Sequence, residues 1–386
     1  MKKLLLLSAG ALLSLSAMAQ AEAPTLTEVF KYTAAETTFP ASRFATMYNG
    51  TIYAQDGGTL YSWSKDSKDR QTVLADASFA GYAITTDDAG NIIYSTNKWS
   101  GGATAWAFMD KNKKVTTFTI TLPEGLEAAS NQTCSHVVGD ITSADGGYMY
   151  NACNKGKSVM LVHMANMGSD KATVTATAST AFNIIVDDAA VNLNYECVPS
   201  AMLKTVAGIK DAEKPADMVY LRKRGDYVTY YLDGTETEKY DAPSNSYSST
   251  GYDVFELGGV KFALYPQKSA ANTYSTTFVI ADLLTGDVVA TQSSETTMGS
   301  GAVSYQTLKA EKVSETKANI YQYYCNTVAS MYTFEIPADY ATAIESVAVD
   351  ANAPVEYYNL QGVKVANPEN GLFIKKQGNK ATKVIL

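Results

Sequence analysis

Leu26-Thr-Glu-Val-Phe-Lys-Tyr32 alternates apolar and polar residues at the period of a β-strand, and no second alternating run answers it across a turn. Met331-Tyr-Thr-Phe-Glu-Ile336 is its counterpart near the other end: it opens a strand phrase whose usual partner never follows. Each would leave a bare sheet edge, and pairing the two covers both. A chain whose ends complete one sheet closes on itself as a ring.

The residues between repeat two phrases. The first is a turn residue leading into an apolar–Tyr strand: Gly50-Thr-Ile-Tyr53, Gly90-Asn-Ile-Ile-Tyr94, Gly147-Tyr-Met-Tyr150, Val191-Asn-Leu-Asn-Tyr195, Gly259-Val-Lys-Phe262 and Asn319-Ile-Tyr321. The second, a strand, a polar turn and another strand, starts near 60, 106, 160, 219, 278 and, partnerless, 331. The intervals run from 46 to 59 residues, as expected of four-stranded propeller blades with variable loops. Two stacked sandwiches would use similar strands; the two matching lone strands favour the ring. The expectation is therefore an all-β chain: a β-propeller of six blades, within one, over residues 20–341, closed by the N-terminal strand, with a small C-terminal β module at 342–386.

In such a ring, connections between second and third strands and between successive blades share one rim. The long loops Lys98–Thr104, Leu122–Thr133, Pro199–Asp217, Asp233–Gly251, Pro266–Ser275 and Ser293–Gly301 are expected there, where loops of this length are usually functional. Met202, Leu203, Val206 and Ile209 recur at helical spacing and predict a short helix in the third of them.

Residues 1–19 read as a secretory signal: Lys2 and Lys3, an apolar run from Leu4 to Leu15, and Ala17-Met-Ala19 as a cleavage site, which makes Gln20 the first mature residue. The run is short for a membrane span, no later stretch is long enough for one, and no Cys follows it to take a lipid. With 46% hydrophobic and 18% charged residues the chain can fill a large core. Net charge is −8 without a Lys/Arg cluster, which argues against a nucleic-acid partner. From Asp350 onward the balance is +2, marking a separate module at the end. Cys134, Cys153, Cys197 and Cys325 permit three disulfide pairings, with Cys134 and Cys153 able to face each other across a hairpin near Ala144-Asp-Gly146. Buried thiols are the favoured reading, since a core of this size needs no staples.

The last segment reads Tyr357-Tyr-Asn-Leu-Gln-Gly-Val-Lys-Val365, then Asn367-Pro-Glu-Asn-Gly-Leu-Phe-Ile-Lys375, then Lys383-Val-Ile-Leu386: three short strands joined by Gly and Asn-Pro turns. It resembles the C-terminal sorting tails of Bacteroidetes proteins exported by type IX secretion, though with fewer strands before Tyr358. The resemblance implies a Bacteroidetes-like source, the export machinery as a partner, and a place in the periplasm, on the outer-membrane surface or outside the cell.

Signs of chemistry are few. His136 and His163, the only histidines, lack metal-ligand partners and read as structural. Gly156-Lys-Ser158 mimics the end of a phosphate loop, but Asn151 stands where its first Gly belongs and strands flank it. Arg224-Gly-Asp226 falls where a hairpin turn is expected, and Asp110-Lys-Asn112 starts like a calcium loop but runs into Lys113 and Lys114. Asp87-Asp88 and Asp187-Asp188 recur just before inner strands and read as turn caps. No cofactor or metal is expected. Trp99, Tyr247, Tyr252 and Tyr274 lie on or beside the long-loop rim among Ser, Asn and Thr, surroundings that suit sugar rings or peptides, and also plain loop packing. The expectation is a non-enzymatic binding propeller for a glycan or protein. One rival is a glycan-cleaving enzyme using channel carboxylates, with Glu256, Asp253 and Asp140 as the acids to test; another is a scaffold for an outer-membrane complex.

Overall fold

In the computed structural model the described residues are 23–40, 42, 44–97, 104–124, 136–153, 158–178, 185–186, 189–190, 200–202, 218–220, 228–232, 237–241, 253–266, 276–282, 287–292, 306–340, 354–359, 364–366, 368, 372–377 and 380–385. Every element among them is a strand. The chain divides into two compact units: Pro24–Glu335, and Ile336–Leu386 with Met1–Ala23.

The larger unit opens with β1 (Thr25–Thr33). The first sheet follows in chain order: β2 (Ala45–Tyr48), β3 (Thr51–Asp56), β4 (Thr59–Ser64) and β5 (Ser67–Ala75). The second is β6 (Ile84–Thr86), β7 (Ile92–Ser95), β8 (Ala105–Met109) and β9 (Val115–Thr119). The third is β10 (His136–Gly139), β11 (Gly147–Cys153), β12 (Ser158–Ala165) and β13 (Thr173–Ala178). Three antiparallel pairs come next: β14 (Ile185–Val186) with β15 (Ala189–Ala190), β16 (Ser200–Met202) with β17 (Met218–Tyr220), and β18 (Val228–Leu232) with β19 (Thr237–Asp241). The penultimate sheet is β20 (Asp253–Leu257), β21 (Val260–Pro266), β22 (Phe278–Asp282) and β23 (Val288–Thr291). The closing sheet is β24 (Gln306–Ser314), β25 (Lys317–Tyr324) and β26 (Val328–Glu335), with β1 beyond β26.

Leu26 lies opposite Phe334 and Tyr32 opposite Ala329, so the two lone strands of the sequence pair antiparallel. A bulge at Val29 shifts the register, leaving Val29 exposed and Phe30 buried. Tyr32 then reaches across to the first sheet, its Oη donating to the Ser64 carbonyl at 2.9 Å.

Alternation along the strands feeds two different cores, so the first, second and closing sheets are packed on both faces. In the second sheet Ile92, Ala107 and Met109 pack with Leu60 of the first, while Ile93, Trp106 and Phe108 pack with Val137, Met149, Val162 and Met164 of the third. Trp63, Ala54 and Ile52 of the first sheet meet Tyr321, Tyr323, Met331 and Phe30 of the closing sheet. The closing sheet in turn meets the penultimate one through Phe334 on Phe262 (5.3 Å) and Tyr332 on Phe278 (5.4 Å), both edge-on. The N- and C-terminal sheets of this unit are thus direct neighbours. A large aromatic such as Trp63 or Tyr323, fully buried here, removes on the order of 150–250 Å² from water, roughly 4–6 kcal/mol each before ordering costs.

Some expectations hold and others change. The apolar–Tyr phrase is the second strand of each described sheet, so Asp87-Asp88 caps the turn between first and second strands; Asp187-Asp188 lies outside the described residues. Val219 sits in β17, paired back to β16, and the strand after it pairs onward with β19, so Asp233–Gly251 contains a strand. Ser200–Met202 is strand, where part of a loop was expected, and 203–217 lies outside the described residues. Cys325 is a buried thiol; Cys134 and Cys197 lie outside the described residues. Among the described residues no helix is long and apolar enough to cross a membrane.

The smaller unit holds one antiparallel sheet, not three strands but four: β27 (Val355–Tyr358), β28 (Lys364–Val365), β29 (Leu372–Gln377) and β30 (Lys380–Ile385), in the order β28-β27-β29-β30. The extra strand arises because the Tyr357–Val365 segment turns back on itself, with Tyr358 opposite Lys364. Lys364 pairs with Glu356, which also accepts from Tyr358 Oη at 2.7 Å.

Candidate functional site

The first strands of successive sheets lie side by side, β10 on β6, β6 on β2, β2 on β24 and β24 on β20. A first strand has only one neighbour within its own sheet, so its other edge carries backbone N–H and C=O groups that need partners. Side chains of the adjacent first strand supply them. On β24, Thr307, Lys309 and Glu311 share one face. Thr307 Oγ1 accepts from Ala45 N (3.2 Å), Lys309 Nζ donates to Met47 O (3.3 Å), and Glu311 Oε1 accepts from Asn49 N (2.7 Å). Both series advance by two residues, so β24 and β2 run in the same direction. Asp253 of β20 does the same for β24, taking Ala310 N at 2.7 Å.

The ladder continues to the second and third sheets. Thr86 Oγ1 faces Thr46 Oγ1 at 3.2 Å, donates to Met47 O at 3.1 Å and receives Lys309 Nζ at 2.8 Å, so one ammonium ties β24, β2 and β6. Asp88 Oδ2 takes Gly139 N (2.7 Å) while Asp88 N donates to Gly139 O (3.1 Å). Asp87 caps its own turn, accepting from Ala89 N and Asn91 N through Oδ1, and uses Oδ2 for Asn91 Nδ2 and for Ile141 N in the third sheet.

Electrostatics follow from this burial. Desolvation lowers the Lys309 pKa, opposed by the carboxylates of Asp253, Glu311, Asp88 and Asp87. Asp87 is raised, again by desolvation, with Asp140 adding and the hydrogen bonds from Asn91 and Ile141 opposing. Tyr321 Oη donates to Glu311 Oε2 (2.6 Å) and accepts from Gly50 N (2.8 Å); burial raises its pKa first, the carboxylate second.

As chemistry, this is a set of groups already committed to one another. Of the three acids singled out above, Asp253 is buried on Ala310 N and Asp140 accepts from Thr142 N and Oγ1 (2.8 and 2.6 Å). Glu256 lies half-buried on β20 opposite Lys261. The strands carrying Asp253 and preceding Asp140 are separated, in the run β10-β6-β2-β24-β20, by three others. Among the described residues no group of three or more His, Cys, Asp or Glu could hold a metal. His163 packs tilted against Tyr148 (4.5 Å) and its Nε2 meets the Asp145 carbonyl at 3.0 Å, a structural role. Asp110 accepts from Asn112 N and Lys114 N, which makes it a turn cap. Lys309, Glu311 and Asn91 were not anticipated; the signal for the first two was Thr-x-Lys-x-Glu at alternate positions of one strand.

Trp99, Tyr247, Tyr252 and Tyr274 lie outside the described residues, as does Arg224-Gly-Asp226. The described strands bracket them. Trp99 falls between β7 and β8, Tyr274 between β21 and β22, and Tyr247 and Tyr252 between β19 and β20.

No family model and no curated protein matches the chain. Among solved structures, a DUF4623 family protein from Bacteroides eggerthii is similar at 11% identity and a TM-score of 0.45, over 77% of this chain and 72% of that one. BBS1N, solved in complex with ARL6DN, is similar at 9% identity and a TM-score of 0.46, over 82% and 98% of the respective chains.

Proposed function

We propose that residues 20–341 form a six-bladed β-propeller closed by Leu26–Tyr32, and that it is an exported, non-enzymatic binding protein that recognises a glycan or protein through its long-loop rim. The observation that carries the reading is the commitment of the inner-strand polar groups. Asp87, Asp88, Asp140, Asp253, Glu311 and Lys309 satisfy backbone edges or turns of neighbouring strands. A general acid or nucleophile needs a group free to meet substrate. With these described groups spent on holding the sheets together, recognition falls to the loops. Alternating strand directions put second-to-third and sheet-to-sheet connections at one end, which is where Trp99, Tyr247, Tyr252 and Tyr274 belong in the chain. The tail at 342–386, with its resemblance to type IX sorting tails, supports export to the cell surface.

A glycan array run beside a hydrolase screen tests the reading. Binding without turnover is the expected result, and Trp99→Ala with Tyr274→Ala should weaken capture several-fold while thermal unfolding stays put, since an aromatic stacked on a ligand is worth on the order of 1 kcal/mol. Turnover of any glycan, or a double variant that melts early and binds as before, would overturn it.

A further inference from the structure

We propose that the groove between β9 and the β12–β13 corner captures an extended peptide carrying a carboxylate, which adds to the second sheet as a fifth strand. The hydrogen-bond phase of β9 is the starting point. Asp110 N donates to Lys114 O and Ile120 N to Thr104 O, so Lys114 and Ile120 belong to hydrogen-bonded pairs with the β8 side. Between them Ala105 faces Thr119, Trp106 faces Phe118, Ala107 faces Thr117, Phe108 faces Thr116 and Met109 faces Val115. Hydrogen-bonded and non-bonded pairs alternate along an antiparallel ladder. Thr116 and Phe118 therefore point their backbone groups at β8, while those of Val115, Thr117 and Thr119 point away from it.

Among the described residues β9 is the last strand of its sheet. Its outward edge borders a cavity of about 560 Å³, lined on this wall by the consecutive residues 114–118. Consecutive lining is what a strand edge presents, because a strand face would contribute only alternate residues. The facing wall is Met167, Gly168 and Val174, and Phe118 and Val174 rest on the core between the second and third sheets. The groove thus offers main-chain partners along one side and an apolar floor, the two things an added strand uses.

Charge selects the occupant. Lys114 lines the groove and is exposed, with Lys111 in the same turn and Lys171 in the facing one, while Lys113 Nζ reaches the other way to the Val73 carbonyl of the first sheet. Asp110, held by Asn112 N and Lys114 N, and Asp170 are the acids of these two turns, against Lys111, Lys114 and Lys171. In a chain of net charge −8 this is a locally basic corner. An extended segment with apolar residues at alternate positions and Asp or Glu at the end near Lys114 complements it.

The intact chain is titrated with a fluorescent peptide of alternating Val and Thr ended by Glu, and with the same peptide ended by Lys. The Glu-ended peptide should bind and the Lys-ended one should bind more weakly, the gap closing at high salt. Thr117→Pro removes one outward N–H without touching the β8 ladder, a position where a sheet tolerates proline, and should weaken binding about tenfold against Thr117→Ala. Lys114→Glu, at an exposed site, should reverse the preference between the two peptides even if the proline variant does not fold. Equal binding of both peptides by the wild type, or an unchanged preference in Lys114→Glu, overturns the proposal.

Discussion

Phe30→Ala tests whether the N-terminal strand is built into the closing sheet. Phe30 is 6% exposed, packs in the core shared by the first and closing sheets, and stacks on Tyr32 at 5.0 Å. Truncating such a phenylalanine removes its transfer free energy and leaves a cavity between two sheets, about 3–5 kcal/mol together. Against a total stability of roughly 5–15 kcal/mol that is a large fraction, and for a unit of this size it should lower Tm by about 5–15 °C. The control sits one residue away. Val29, at the bulge, is 38% exposed and unpaired in register, so Val29→Ala should stay within about 0.5 kcal/mol. The assay is thermal and urea unfolding of both variants in parallel, with the urea slope checked for two-state behaviour. If the two variants unfold alike, β1 contributes no core contact and the closure argument fails.

Two more outcomes follow from the buried hydroxyls. Tyr321→Phe strips Glu311 Oε2 and Gly50 N of their shared partner and should cost about 1–3 kcal/mol, readable in urea unfolding; a neutral result would mean water replaces the phenol at no loss. Tyr94, desolvated beside Ser78 Oγ at 2.8 Å, has its pKa pushed up to about 12 from an ordinary value near 10. Its folded-state pKa is the higher one, so its stabilisation is full below about pH 10 and is lost as pH rises toward 12; Tyr94→Phe should flatten that part of the alkaline unfolding curve, and an unchanged slope would refute the assignment.

What could be read from the chain, and what could not, divides along the strands themselves. The pairing of Leu26–Tyr32 with the strand at Met331 was legible because each half was visibly incomplete. Second and third strands were legible because they are buried on both faces and therefore apolar and aromatic, as in Phe278–Asp282, where all five residues are buried. First strands were not. Ala45–Tyr48 and Ile84–Thr86 are too short to show a period, and Gln306-Thr-Leu-Lys-Ala-Glu-Lys312 alternates polar with apolar as a solvated strand would. Asp253 and Asp140 were picked out for their charge, yet the partners that absorb them are backbone amides and a neighbouring hydroxyl, which no side-chain pattern announces.

The same alternation can thus mean two opposite things. On an outer strand such as Ser67–Ala75 the polar positions meet water and a substitution there should be nearly silent. On β24 they meet the edge of the next sheet, and Thr307, Lys309 and Glu311 stand where a fifth strand would otherwise have to be. Ordinary backbone pairing cannot continue there, because the first strands belong to sheets stacked face to face and are no longer coplanar. Side chains long enough to bridge the gap satisfy those amides and carbonyls instead. Polar residues on a first strand therefore behave energetically as core, and charge alone is a poor guide to catalysis there.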